Sequence, residues 1–201
     1  LRGMNAARTR PITTVAVTPD GRFIVSGNSG RNLLLWDRPT GKCLFTFEGH
    51  KKSVTAVSVT PNSQFALSGS KDKTLRLWDL ISGECLWTSQ DHEDGVTSIA
   101  MTPDARFAIS GSKDKTLRLW NCTTGECVWI FKGHRLGVTA VVITPDGRFV
   151  VSGSEDKTLK VWELDWELDT NETARPGTGE NGKSTRLLNR ITSLLDNPRK
   201  K

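Results

Sequence analysis

Residues 54–60 read Val-Thr-Ala-Val-Ser-Val-Thr, an alternation of apolar with small polar side chains that marks a half-buried β-strand. Pro61-Asn62-Ser63 then turns the chain, since these residue types preset or locally satisfy a turning backbone. Phe65-Ala66-Leu67-Ser68 reads as a second strand and Lys71-Asp72-Lys73 as a tight connection. Thr74-Leu75-Arg76-Leu77-Trp78 alternates again as a third strand. Ser82-Gly83 makes another turn, and Cys85-Leu86-Trp87-Thr88 is the fourth strand.

This pattern recurs. Trp36, Trp78, Trp120 and Trp162 are each 42 residues from the next. The same register aligns the turns at Thr18-Pro19, Thr60-Pro61, Thr102-Pro103 and Thr144-Pro145, and the pairs Ser26-Gly27, Ser68-Gly69, Ser110-Gly111 and Ser152-Gly153. No insertion or deletion breaks the count. Four short antiparallel strands in a period of about 40 residues make one propeller blade, so the chain is expected to be all-β with four blades.

Gly-His opening a unit and Trp-Asp closing its third strand make the unit similar to a WD40 repeat. Gly49-His50 leads to Trp78-Asp79, and Gly133-His134 leads to Trp162-Glu163. Asp91-His92 leads to Trp120-Asn121, a departure at two positions. The resemblance covers residues 11–165. It implies a buried polar network in each blade, formed here by His50, Ser68, Asp72 and Trp78, by His92, Ser110, Asp114 and Trp120, and by His134, Ser152, Asp156 and Trp162. Such groups must satisfy one another when buried, and in doing so they lock the blade. The first unit keeps Ser26 and Trp36 but has Arg8 and Gly30 where the others have His and Asp. A Ser–His–Asp set can also be a hydrolase triad. A set repeated in three blades, however, reads as scaffolding, because an active site is made once.

The family closes its rings with six to eight blades, and four are visible. Three remedies follow: a longer parent protein, a partner that supplies blades, or two copies of this chain joined in an eight-bladed ring. The chain starts at Leu1 rather than Met, and a piece of a longer protein is the first expectation, with self-pairing second. Otherwise the chain leaves strand edges and an apolar blade face open.

Beyond the blades, the segment 1–10 is basic, 166–182 is a polar linker, and 183–201 is a short amphipathic helix with a basic end. In that helix Leu187, Leu188, Ile191, Leu194 and Leu195 share a face. Residues 177–184 (Gly-Thr-Gly-Glu-Asn-Gly-Lys-Ser) match the phosphate-binding pattern G-x-x-x-x-G-K-[ST]. In a nucleotide site Gly177 and Gly182 would shape the loop, Lys183 would reach the phosphates and Ser184 would hold magnesium. The preceding Asp169–Pro176 is too polar for the buried strand that such a loop needs, and the chain ends 17 residues after Ser184. This nucleotide-dependent signalling reading is therefore the alternative.

The net charge of +6 comes largely from the two ends, which read as solvated tails, and nucleic acid is not the expected partner. No stretch approaches the roughly 20 apolar residues of a membrane span. The N-terminus has no apolar core of a secretory signal. Cys43, Cys85 and Cys127 share a repeat position, with Cys122 extra, and no Cys-x-x-Cys pair or Cys/His knuckle occurs. Buried strand thiols in a reducing compartment are expected, with no metal and no cofactor. By the resemblance, the loops entering each blade and those joining its second and third strands form the top face. They carry Lys51, Lys52, Lys71, Lys73, Lys113, Lys115, Arg135 and Lys157, interrupted by Glu93 and Asp94. Lys51, Lys52 and Arg135 are the informative positions, because the others belong to the repeat. The reading is a cytoplasmic, non-catalytic scaffold that binds other proteins or peptides, preferably acidic ones.

Overall fold

The computed structural model describes residues 10–164. Fifteen strands follow in chain order as four antiparallel sheets. The first holds β1 (Ile12–Val17), β2 (Phe23–Asn28), β3 (Leu33–Asp37) and β4 (Cys43–Phe47). The second holds β5 (Val54–Val59), β6 (Phe65–Ser70), β7 (Leu75–Asp79) and β8 (Cys85–Ser89). The third holds β9 (Val96–Met101), β10 (Phe107–Ser112), β11 (Thr116–Asn121) and β12 (Cys127–Lys132). To the fourth, the described residues give β13 (Val138–Ile143), β14 (Phe149–Ser154) and β15 (Leu159–Glu163). Each sheet is a simple meander, strand pairing with strand in sequence order.

The turn after each first strand has one chemistry. The Thr60 hydroxyl accepts from the Phe65 amide (3.0 Å) and bonds Asn62 (2.6 Å), and Thr18, Thr102 and Thr144 do likewise with Phe23, Phe107 and Phe149. The fourth turn position is left-handed in every blade. Gly21 and Gly147 adopt this without strain, whereas Ser63 (φ 60°) and Ala105 (φ 58°) carry a small steric cost.

The first strands β1, β5, β9 and β13 stand side by side, so the sheets fan out as propeller blades from a common axis. The core lies between blades. Leu33, Leu35 and Phe47 of the first blade pack with Val54, Trp78 and Leu80 of the second. Leu67, Leu75 and Leu77 then meet Val96 and Trp120, and Leu117, Leu119 and Phe131 meet Val138, Val141 and Trp162. Leu33, Leu75 and Leu117 are wholly buried, and each fully buried leucine contributes about 2 kcal/mol. Among the described residues no helix is long and apolar enough to cross a membrane.

The thiols require a correction. Cys43 and Cys85 are exposed, Cys127 is half-buried, and only Cys122 is buried. The repeat position lies at the first residue of the outermost strand, beside an irregularity in pairing, where the blade thins out at its periphery. Cys122 is covered by the neighbouring blade, and burial, with Asp104 adding to it, pushes its thiol up to about 12. With excess disulfide reagent at pH 8, Cys43 and Cys85 therefore react fastest, Cys127 lags, and Cys122 stays silent until denaturant is added. Four equally fast thiols in the folded chain would contradict this packing.

Candidate functional site

The loop entering each of blades two to four is tied to the turn between the second and third strands. His50 is buried at the end of the second blade, where the ring Nε2 lies 2.8 Å from Ser68 Oγ and Nδ1 lies 3.0 Å from Asp72 Oδ2. Trp78 Nε1–H donates to the same Ser68 hydroxyl at 2.8 Å. In the third blade the corresponding distances among His92, Ser110, Asp114 and Trp120 are 2.6, 2.6 and 2.8 Å. In the fourth, among His134, Ser152, Asp156 and Trp162, they are 2.8, 3.0 and 2.9 Å, taken as serine–histidine, histidine–aspartate and tryptophan–serine. Every atom is satisfied by a neutral ring protonated on Nδ1: indole to serine, serine to Nε2, and Nδ1–H to carboxylate.

The carboxylates do a second task. Asp72 Oδ2 also accepts from the Lys51 amide (2.6 Å), and Oδ1 accepts from the amide and hydroxyl of Thr74 (3.0 and 2.6 Å). Asp114 takes the amides of Glu93 and Thr116 with the Thr116 hydroxyl, and Asp156 those of Arg135 and Thr158 with the Thr158 hydroxyl. Burial alone would raise these carboxyl groups. The hydrogen bonds outweigh it and hold Asp72, Asp114 and Asp156 far below the usual carboxylate range. Sequence reasoning missed Thr74, Thr116 and Thr158 as members of the network. Their signal was the thrice-repeated Asp-Lys-Thr, whose lysine (Lys73, Lys115, Lys157) adopts a left-handed turn conformation and points to solvent.

Despite its triad-like distances, the set cannot offer a nucleophile. Ser68, Ser110 and Ser152 are 0% exposed, and each hydroxyl is engaged by both the histidine and the indole. No substrate carbonyl can reach it. The first blade keeps only the Trp36–Ser26 bond (2.8 Å), and Asn28 closes its turn by accepting from the Asn32 amide.

Lys51, Lys52 and Arg135 are all exposed on incoming loops, the first two in blade two and the third in blade four. Glu93 occupies the same register in blade three, so the two basic loops are separated by an acidic one. Lys71, Lys73, Lys113, Lys115 and Lys157 are exposed on the turns beside them, and the Lys71 and Lys113 amides bond the carbonyls of Ser53 and Gly95. Among the described residues no three His, Cys, Asp or Glu side chains are grouped to hold a metal. Gly177, Gly182, Lys183 and Ser184, the linker 166–182 and the helix 183–201 lie outside the described residues.

Comparison with known proteins fits this geometry. No curated protein matches the chain. The family model described as WD domain, G-beta repeat matches four times, at residues 4–37, 41–79, 83–121 and 125–163. Each match from the second onward begins with the outer strand of one blade (β4, β8, β12) and continues into the first three strands of the next, so the repeats interlock the blades they connect. With most of its length matched, the chain belongs to the WD40 repeat family, whose repeats generally serve as protein-interaction scaffolds.

Proposed function

We propose that the chain is a non-catalytic scaffold that captures an acidic protein segment across the incoming loops of blades two to four. One observation carries this reading. The three loops share one backbone geometry, each pinned by a buried aspartate, yet their exposed tips differ: Lys51-Lys52, Glu93-Asp94 and Arg135-Leu136. A rigid scaffold with variable tips holds charges in place before a partner arrives, which lowers the ordering cost of binding. Basic tips at two of three positions, with lysines on the adjoining turns, favour an anionic segment and speed its encounter. The exposed free thiols Cys43 and Cys85 suit a reducing, cytoplasmic setting.

A fluorescent Glu-rich peptide, followed by anisotropy, tests the reading. Wild-type binding weakens as salt rises, and the triple variant Lys51→Glu, Lys52→Glu, Arg135→Glu binds about tenfold or more weakly, with an unchanged melting temperature. Equal binding by the variant overturns the assignment of these loops.

A further inference from the structure

Each incoming loop of blades two to four is held at two points, so the three tips stand in one register. The amide of the first tip residue donates to the aspartate of the network, and the carbonyl of the second accepts from the serine that ends the second strand. Lys51 and Lys52 are fixed in this way by Asp72 and Ser70, Glu93 and Asp94 by Asp114 and Ser112, and Arg135 and Leu136 by Asp156 and Ser154. From blade to blade the side chain changes while its backbone stays in place.

Along the arc these side chains form a gradient. Blade two presents Lys51, Lys52, Lys71 and Lys73, all exposed. The carboxylate among them, Asp72, is already engaged by His50, Thr74 and the Lys51 amide. At blade three Glu93 and Asp94 stand against Lys113 and Lys115. At blade four Arg135 and Lys157 stand against Glu155, and the second tip position holds Leu136, 47% exposed. Its counterparts Lys52 and Asp94 are exposed although a further blade follows each of theirs, so the position faces outward by its place in the repeat.

A segment that crosses the tips therefore meets a cluster of cations at one end and an aliphatic side chain at the other. The first strands β5, β9 and β13 stand side by side, and packed sheets lie about 10 Å apart. Blade two to blade four is then about 20 Å, the reach of about six residues of extended chain.

We infer that the captured segment binds in one direction, its acidic residues among Lys51, Lys52, Lys71 and Lys73 and an apolar residue about six positions away covering Leu136. The inference rests on the proposed capture of an acidic segment and adds the segment's polarity, span and apolar end. Charge complementarity selects the acidic end, and burial of apolar surface against Leu136 selects the other.

Two fluorescent peptides of one composition, three glutamates and one leucine in a serine background, test it by anisotropy on the full chain. In the first the leucine lies six residues beyond the glutamates, and in the second it follows them directly. The first is expected to bind about fivefold or more tightly than the second. Leu136→Ser removes the difference by weakening the first, with an unchanged melting temperature. Lys51→Glu combined with Lys52→Glu weakens both peptides about tenfold or more. Equal binding of the two peptides, with both still weakened by the lysine substitutions, overturns polarity and span and leaves capture of an acidic segment standing. A difference that survives Leu136→Ser overturns the apolar contact. Failure of both peptides to bind overturns the inference as well, and if the Glu-rich peptide is also not held, the capture itself falls with it.

Discussion

Asp114→Ala loses about 2–4 kcal/mol of unfolding free energy, measured by urea denaturation followed through tryptophan fluorescence. The carboxylate accepts four hydrogen bonds, and the loss is not shared equally among their donors. Glu93 is exposed, and its amide turns to water when the acceptor goes. The side chain of His92 is 0% exposed, and its Nδ1–H is left without an acceptor in a site that water does not reach. An orphaned buried donor costs more than an ordinary hydrogen bond contributes, and here it breaks the relay through Ser110 to Trp120 as well. Asp114→Asn keeps one acceptor oxygen and loses about half as much. Acid adds a second readout. The folded carboxyl is held low, so its stabilisation is complete above the unfolded value of about 4 and fades as pH falls further toward the folded one. Wild type therefore destabilises below about pH 4, and the asparagine variant shows a flatter acid limb. A loss below about 1 kcal/mol for the alanine variant would mean that His92 finds another partner and that the network does not lock the blade.

The strands and their turns were legible because a half-buried strand must alternate and a turn must use the few residues that favour it. Both signals were repeated without a gap over the blades. The tetrads were legible through the family resemblance at the Gly-His and Trp-Asp positions. Thr74, Thr116 and Thr158 were not, since Asp-Lys-Thr serves equally as an ordinary turn, and only the folded loop brings the threonine to the carboxylate. Cysteine burial was misjudged because residue type reports average preference, while Cys43 and Cys85 begin the outer strands at the rim. Leu159 poses the opposite problem. Its register is that of three fully buried leucines, but each of those pairs with an outer strand and is covered by a following blade, and neither stands beside Leu159 among the described residues. No local pattern encodes that.

Gly69→Ala, at the seam between blades two and three, is expected to cost about 1–3 kcal/mol in the same denaturation experiment. The added methyl would lie 2.5 Å from Val96 Cγ1 and 3.0 Å from Val96 Cβ and Ile99 Cδ1. Val96 is 1% exposed, and branching at Cβ restricts the rotamers into which it could retreat. The two blades must separate, and the Thr55 bond to the Val96 carbonyl stretches with them. Against this stands the gain from replacing glycine within a strand, about 0.5–1 kcal/mol, which the clash exceeds. Gly153→Ala isolates that gain: its register is the same, but among the described residues the added methyl meets only Thr139 Oγ1, at 3.7 Å, so the chain is unchanged or slightly stabilised. The difference between the two alanine variants thus measures the steric tightness of one blade-to-blade contact. Equal effects would mean that neighbouring blades slide apart at little cost, and the incoming loops could not then be held at fixed spacing for a partner.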